Sequence, residues 1–156
     1  MAQRKKVLIL GGGFGGIKAA LELAGHPSYD ITLLSDRDSF RYYPQLYHAA
    51  TGGSRYASQI PLAEIFEGKD ITIINDSAAR LDRPQKMVEG TSGKKYRYEI
   101  LIVALGVVTN FFGIKGLDKY AYGIKSLEEA RRLREHLHKL VADEGKPDLN
   151  YVVIGG

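Results

Sequence analysis

The feature that most constrains this chain lies near its start, where the apolar run Val7-Leu8-Ile9-Leu10 passes directly into Gly11-Gly12-Gly13-Phe14-Gly15-Gly16. Four apolar residues without alternation suit a strand buried on both faces of a parallel sheet. After the glycines, Ile17, Ala20, Leu21 and Ala24 recur at helical spacing, with Gly25 as a stop signal. Ile31-Thr32-Leu33-Leu34 reads as a second strand. Parallel strands need a crossover between them, so these pieces predict a βαβ unit. Gly11, Gly13 and Gly16 fit G-x-G-x-x-G at the strand-to-helix turn. Gly11 permits the tight turn, Gly13 lets the backbone approach a pyrophosphate, and Gly16 lets the helix pack close to the sheet. The free N–H groups and positive end of the helix then face phosphates. In this context the motif predicts dinucleotide binding.

An acid at the end of the second strand, about twenty residues past the glycines, is expected to hold the adenosine ribose. Asp36 lies at that distance, but Leu34 is the last apolar residue, so Ser35 occupies the usual acidic position. Either a shifted turn lets Asp36 accept from the ribose hydroxyls, or Ser35 does so more weakly. Asp36 is the favoured candidate, and a solvated loop acid is the plainer alternative. Arg37, set between Asp36 and Asp38, is poor support for a 2′-phosphate partner.

The stretch from Ser39 to Ile60 has no clear period and carries Phe40, Tyr42, Tyr43, Tyr47 and Tyr56. So long an aromatic loop is either disordered or functional. Pro61 reads as the first position of a short helix through Phe66. Ile71 to Ile74, Ala79 to Leu81, Met87 to Glu89 and Lys95 to Tyr98, with the turn signal Gly90-Thr91-Ser92-Gly93, predict a β-meander over residues 71–99 that forms its own small sheet. Leu101 to Leu105 returns to the buried-strand pattern and ends at Gly106. Ser126-Leu127-Glu128-Glu129 has the form of a capping box. Leu127, Ala130, Leu133, Leu137 and Leu140 then mark one face of a helix over residues 127–143, broken by Lys146-Pro147-Asp148. Tyr151-Val152-Val153-Ile154-Gly155-Gly156 repeats the opening theme of a strand running into glycines.

Composition narrows the options further. No apolar run reaches the roughly 18 residues of a transmembrane helix. The basic Met1 to Lys6 segment leads into glycines rather than a cleavage site, unlike a signal peptide. There is no cysteine among the 156 residues. That removes disulfides, thiolate metal sites and a cysteine redox relay from this stretch, and fits a reducing interior. The net charge is +4 and the pI near 9.2. Lys and Arg are scattered among 18 acids, with Arg4-Lys5-Lys6 the densest run. A solvated surface is favoured over nucleic-acid binding, with a weak attraction to anionic lipid headgroups left open. His136 and His138 fall on different sides of a charged helix, His26 precedes Pro27 in a turn, and His48 alone sits in the aromatic segment. None of these makes an acid–base set, and no metal-ligand or Ser/His/Asp spacing stands out.

The sequence resembles the N-terminal part of type II NADH dehydrogenases, single-subunit NADH:quinone oxidoreductases of the two-dinucleotide-binding flavoprotein superfamily. The resemblance rests on Val7 to Gly16, on Tyr43-Pro44-Gln45-Leu46-Tyr47 with Ala50-Thr51-Gly52, and on Tyr98 to Gly106. Thr109-Asn110-Phe111-Phe112-Gly113-Ile114 and Lys125 to Ala130 extend it. It implies an α/β fold: a Rossmann-like FAD-binding domain with a β-meander insertion, incomplete at its C-terminal end. The implied organisation is the first part of that domain over 1–115, a connecting segment over 116–149, and the opening strand of an NADH-binding domain over 150–156. The resemblance further implies non-covalent FAD. Gly11, Gly13, Phe14, Gly15 and Gly16 would lie at the pyrophosphate, and Ser35, Asp36 and Arg37 at the adenosine end. Ala79 would meet the adenine through its backbone, Pro44, Thr51 and Gly52 would face the flavin or ribityl chain, and Ala104, Leu105 and Gly106 would close over the cofactor. For Ala104 and Leu105, plain core is nearly as good a reading.

The implied partners are NADH and a quinone, with no nucleic acid. Membrane contact is expected to be peripheral, on the cytoplasmic inner face and through segments not in this chain; a homodimer is compatible with the resemblance. Such relatives are more than twice this length, so the chain is expected to be an N-terminal fragment without turnover of its own. Sulfide:quinone oxidoreductases are the nearest rival, sharing a Ser-Asp-Arg run after the second strand. A non-catalytic nucleotide-sensing module and a plain NAD-binding domain are more distant rivals, the last disfavoured by the meander.

Overall fold

The computed structural model describes residues 3–54, 59–142, 150 and 152–154. Its opening is the predicted βαβ unit: β1 (Lys5–Leu10), α1 (Phe14–Leu23) and β2 (Tyr29–Ser35). β1 and β2 run parallel, in register from Lys5 opposite Tyr29 to Leu10 opposite Leu34. The Tyr-rich stretch then contributes β3 (Ser39–Arg41), a 3-10 turn at Tyr43–Gln45 and α2 (Leu46–Ala50). It is followed by β4 (Gln59–Pro61), α3 (Leu62–Ile65), β5 (Ile71–Asn75), β6 (Ala78–Asp82), β7 (Met87–Gly90), β8 (Lys95–Arg97) and β9 (Ile100–Val103). Two helices close the described chain, α4 (Leu117–Tyr120) and α5 (Leu127–Ala142). The expected α/β, Rossmann-like class is borne out.

The main sheet has the order β5-β2-β1-β9 and is parallel throughout. The two-residue period of a strand sends neighbouring side chains to opposite faces, and here each face has its own cover. Val7, Ile9, Ile31 and Leu33 point toward α1 and pack with Ile17, Ala20, Phe40, Leu62 and Phe66. Leu8, Leu10 and Leu34 point the other way and meet Val88, with Ile74, Tyr96 and Tyr98 alongside. Both faces are buried, which is why β1 reads as an uninterrupted apolar run.

One expectation is corrected here. Ile71 to Ile74 does not begin the meander. As β5 it lies beside β2, from Ile31 opposite Ile71 to Ser35 opposite Asn75. An edge strand of a parallel sheet and a strand of a small antiparallel sheet carry the same short β-branched signature, so composition does not separate them. A tether at the sheet margin helps fix the choice: Arg4 donates to Asp70 at 2.7 Å and to the Tyr29 carbonyl at 2.6 Å. The meander is therefore β6-β7-β8 alone, an antiparallel sheet of its own. It fills the crossover between the parallel strands β5 and β9, a place usually taken by a helix.

Two further differences come from short elements. β3 and β4 pair antiparallel inside the stretch read as aperiodic, and Pro61 ends β4 and precedes α3 rather than opening it. β9 stops at Val103, short of the expected Leu105, although the Ala104 N–H still donates to the Leu10 carbonyl at 2.8 Å.

The chain divides into two compact units, Met1–Tyr42 with Ser58–Val108, and Tyr43–Ala57 with Thr109–Gly156. The 43–57 segment thus groups with the second unit. Within that unit Ala49 and Ala50 of α2 pack on Ala130 of α5, with Leu127 and Leu133 around them. Small residues let the two helices approach closely. Ser126 accepts from the Glu129 N–H at 3.1 Å, as a capping box requires, while the Glu129 carboxylate accepts from the Lys125 N–H and from Thr109. α5 is described to Ala142; the expected end at Asp143, the breaker Lys146-Pro147-Asp148 and Tyr56 lie outside the described residues. So do Tyr151, Gly155 and Gly156 of the predicted closing strand, and Val152 to Ile154 are exposed and in no sheet. Among the described residues no helix is long and apolar enough to cross a membrane.

Candidate dinucleotide site

The glycine turn sits at the C-terminal end of β1, where open parallel sheets bind their ligands. Gly11 has φ +107°, and a Cβ there would come 2.3 Å from the Ala104 carbonyl oxygen. A Cβ on Gly16 would fall 1.8 Å from the Gly11 oxygen, and one on Gly12 would lie 2.6 Å from Ser35 Oγ. These three glycines are closed in by protein. Gly13 is different: a Cβ added there meets no atom within 4 Å. Gly13 precedes α1, whose N-terminus has no side-chain cap and no acid in its first turn. The opening N–H groups and the positive helix end are left for an outside anion. A diphosphate fits this cradle in charge and in clearance. Phe14, half-exposed at the first helical position, sets its ring edge-on to Phe40 at 4.8 Å and near Tyr42 at 5.9 Å.

The end of β2 separates the two ribose candidates. Ser35 is 3% exposed. Its hydroxyl lies under Gly12 and accepts from the Arg37 N–H at 3.2 Å, and its carbonyl accepts from the Asp76 N–H at 2.9 Å. Asp36 is exposed, with its carboxylate 3.3 Å from the Arg37 guanidinium. Ser35 is thus built into the floor of the turn, and Asp36 is the group open to solvent at the strand end.

Ala79 lies where the β6–β7 pairing slips: Ala78 is opposite Gly90 and Arg80 opposite Glu89, so Ala79 has no partner in the ladder. A β-bulge of this kind frees one residue of a strand from its neighbour. Ala104 packs against both Gly11 and Gly15. Leu105 is 63% exposed, which sets aside the plain-core reading for it, and Gly106 has φ +77°. In the second unit, Pro44 is exposed in the 3-10 turn, and Thr51 ends α2 with both its N–H and its hydroxyl on the Tyr47 carbonyl at 2.9 Å. Gly52 follows with φ +107°. His48 is exposed and lies against the Tyr47 ring at 4.1 Å, and His136 stacks on Tyr122.

Sequence reasoning missed Asp76. It is buried, and its Oδ1 accepts from the N–H groups of Ser77 and Ser92 and from the Thr91 hydroxyl. Its Oδ2 accepts from the hydroxyls of Ser92 at 2.5 Å and Tyr96 at 2.7 Å. The Ser92 and then the Tyr96 hydrogen bonds hold the carboxyl well below the usual carboxylate range. Tyr96 is pushed up, by its burial first and by Asp76 second. A lone Asp between two short strands carries no motif; the hydroxyls of Thr91, Ser92 and Tyr96 were the readable hint.

Residues 5–156 match the family described as pyridine nucleotide-disulphide oxidoreductase. The chain belongs to that family. It is 34% identical to a type II NADH:quinone oxidoreductase of Staphylococcus haemolyticus, over all of this chain and 41% of that protein. It is 35% identical to a sulfide-quinone reductase of Aquifex aeolicus, over 97% of this chain and 34% of that protein. Among solved structures, NDH2 from Plasmodium falciparum in complex with NADH superposes with a TM-score of 0.77 at 26% identity, covering 95% of this chain and 32% of that one. The Aquifex aeolicus sulfide:quinone oxidoreductase gives 0.76 at 32% identity, covering 90% and 33%. The chain spans well under half the length of these relatives. The family's disulphide chemistry has no thiol to work with in these 156 residues.

Proposed function

We propose that this chain is the FAD-binding part of an oxidoreductase that passes electrons from NADH to a quinone. The observation that carries the reading is Gly13: the one glycine of the turn shown open on its Cβ side, at an uncapped and acid-free helix start. Its neighbours Gly11, Gly12 and Gly16 are held by close backbone and side-chain approach, so the open position is fixed before any ligand arrives. The 34% identity to a type II NADH:quinone oxidoreductase along the whole chain supports the choice of substrates.

In this reading the N–H groups of Gly13, Phe14 and Gly15 hold the pyrophosphate, helped by the α1 dipole. Asp36 accepts from the ribose hydroxyls while Arg37 steadies its carboxylate, and Ser35 supports both from below. The unpaired backbone at Ala79 meets the adenine. Pro44, Thr51 and Gly52 lie toward the flavin and ribityl chain, and Ala104, Leu105 and Gly106 close over it. When bound, FAD supplies the two-electron chemistry. The protein groups bind, orient and exclude water, and none of them acts as an acid or base. Attachment to the inner face of a membrane, a peripheral one, and a homodimeric state belong to the same proposal.

The test is an absorption spectrum of the complete protein, followed by NADH. Flavin bands that bleach with NADH and recover on adding a quinone are the expected result. A colourless protein that cannot be reconstituted with FAD would sink the reading. The 35% identity to a sulfide-quinone reductase favours one second reading, with sulfide as the donor. Bleaching by sulfide and not by NADH would select it.

A further inference from the structure

The Asp76 knot has no part in holding phosphate or flavin, yet it joins three pieces of the site described above. Its carboxylate gathers the turn between β7 and β8 through Thr91 and Ser92, and β8 through Tyr96. Its own N–H holds the Ser35 carbonyl, and Ser35 in turn seats Gly12 and the Arg37 N–H. The fit around the carboxylate is tight: a Cβ on Gly90 would fall 1.9 Å from Oδ2. Gly90 is also the residue paired with Ala78, immediately before the unpaired Ala79. The position of the bulge is therefore set by the same turn that wraps Asp76.

We propose that Asp76 is a positioning residue for the adenosine end of the dinucleotide, tying the bulged Ala79 backbone to the end of β2 that carries Asp36 and Arg37. Five hydrogen bonds from Ser77, Thr91, Ser92 and Tyr96 satisfy the carboxylate within the protein, so it asks nothing of the ligand and acts only through what it holds. This inference rests on the dinucleotide reading of the glycine turn. A neutral amide in place of the carboxylate keeps the shape but turns one oxygen into a donor facing the hydroxyls of Ser92 and Tyr96. The turn then loosens, and with it the register at Ala79.

The experiment compares Asp76→Asn, Tyr96→Phe and Val88→Ala in the complete protein, stripped of flavin. Val88, in β7 opposite Tyr96, is buried against Leu8, Leu10 and Leu34, so its truncation loosens the same small sheet while leaving every hydrogen-bond donor to Asp76 in place. Affinities for ADP, FAD and FMN are measured well below each melting temperature. Asp76→Asn is expected to weaken ADP and FAD alike by about tenfold, the factor carried by one well-placed hydrogen bond, and to leave FMN unchanged because it lacks the adenosine end. Tyr96→Phe is expected to shift ADP in the same direction by less, and to stand in if Asp76→Asn does not fold. Val88→Ala is expected to lower the melting temperature with ADP affinity unaltered. Unchanged ADP affinity in both knot variants, or an equal loss in Val88→Ala, would overturn the proposal. Failure of the unmutated protein to bind either ADP or FAD would overturn the dinucleotide reading itself.

Discussion

Gly16 lies so close to Gly11 that a Cβ on it would come 1.8 Å from the Gly11 carbonyl oxygen, while Gly13, between them, faces open space. The two positions should therefore fail in different ways. Gly16→Ala forces α1 away from the sheet and is expected to cost about 1–3 kcal/mol of stability. Gly13→Ala, with φ −91° and no atom in the way, is expected to melt like the unmutated protein and to lose FAD affinity. Thermal melts and flavin fluorescence titrations on the two variants check this; equal melting temperatures would refute it.

Asp76 makes stability depend on acid. Its carboxyl titrates below its ordinary value when folded, because Ser92 and Tyr96 stabilise the charged form. The stabilisation is fully present above the unfolded value of about 3.9 and is lost as pH falls toward the folded one. The melting-temperature gap between the unmutated protein and Asp76→Asn should stay constant above about pH 5 and narrow below about pH 4. A gap that widens with acid would contradict the structure.

Ser35 and Asp36 were competing ribose partners, and their surroundings predict opposite outcomes. Asp36→Ala is expected to leave the melting temperature within about 0.5 kcal/mol of its original stability, as for a surface change, and to weaken ADP and FAD. Ser35→Ala opens a gap under Gly12 and leaves the Arg37 N–H without its acceptor, so it should destabilise the protein by about 1 kcal/mol. Calorimetric melts with parallel ADP titrations separate the two.

In the second unit, Ser126→Ala removes the acceptor for the Glu129 N–H. The expected loss is about 1 kcal/mol, seen as faster hydrogen exchange at Leu127 to Ala130 with the far end of α5 unaffected. Uniform exchange along α5 would mean that the cap is idle.

What could be read from the sequence followed periodicity. β1, α1 and β2 were legible because a doubly buried strand, a glycine turn and a helical stripe each leave their own pattern, and Ser126 with Glu129 marked a helix start. β5 was misplaced because five residues at a sheet edge look alike in either kind of sheet. β3 and β4 escaped because three-residue strands fall below any period. At the site, the glycines were recognisable by spacing, but only the fold shows that Gly13 alone among Gly11, Gly12, Gly13 and Gly16 is open. Asp76 was invisible because the hydroxyls that hold it, on Thr91, Ser92 and Tyr96, are 15 to 20 residues away, gathered by a turn.

The meander leaves the sheet from β5 and returns to it at β9, which are the two outer strands in the order β5-β2-β1-β9. It therefore spans three inter-strand steps of about 4.8 Å and cannot be excised as a loop, since shortening it would pull opposite margins of the sheet together. Its outer turn from Arg83 to Lys86 is exposed throughout and bonds mostly within itself. A reporter peptide spliced between Pro84 and Gln85 would ride on that turn, giving an engineer a handle on the sheet's cover without severing the strap that joins its margins.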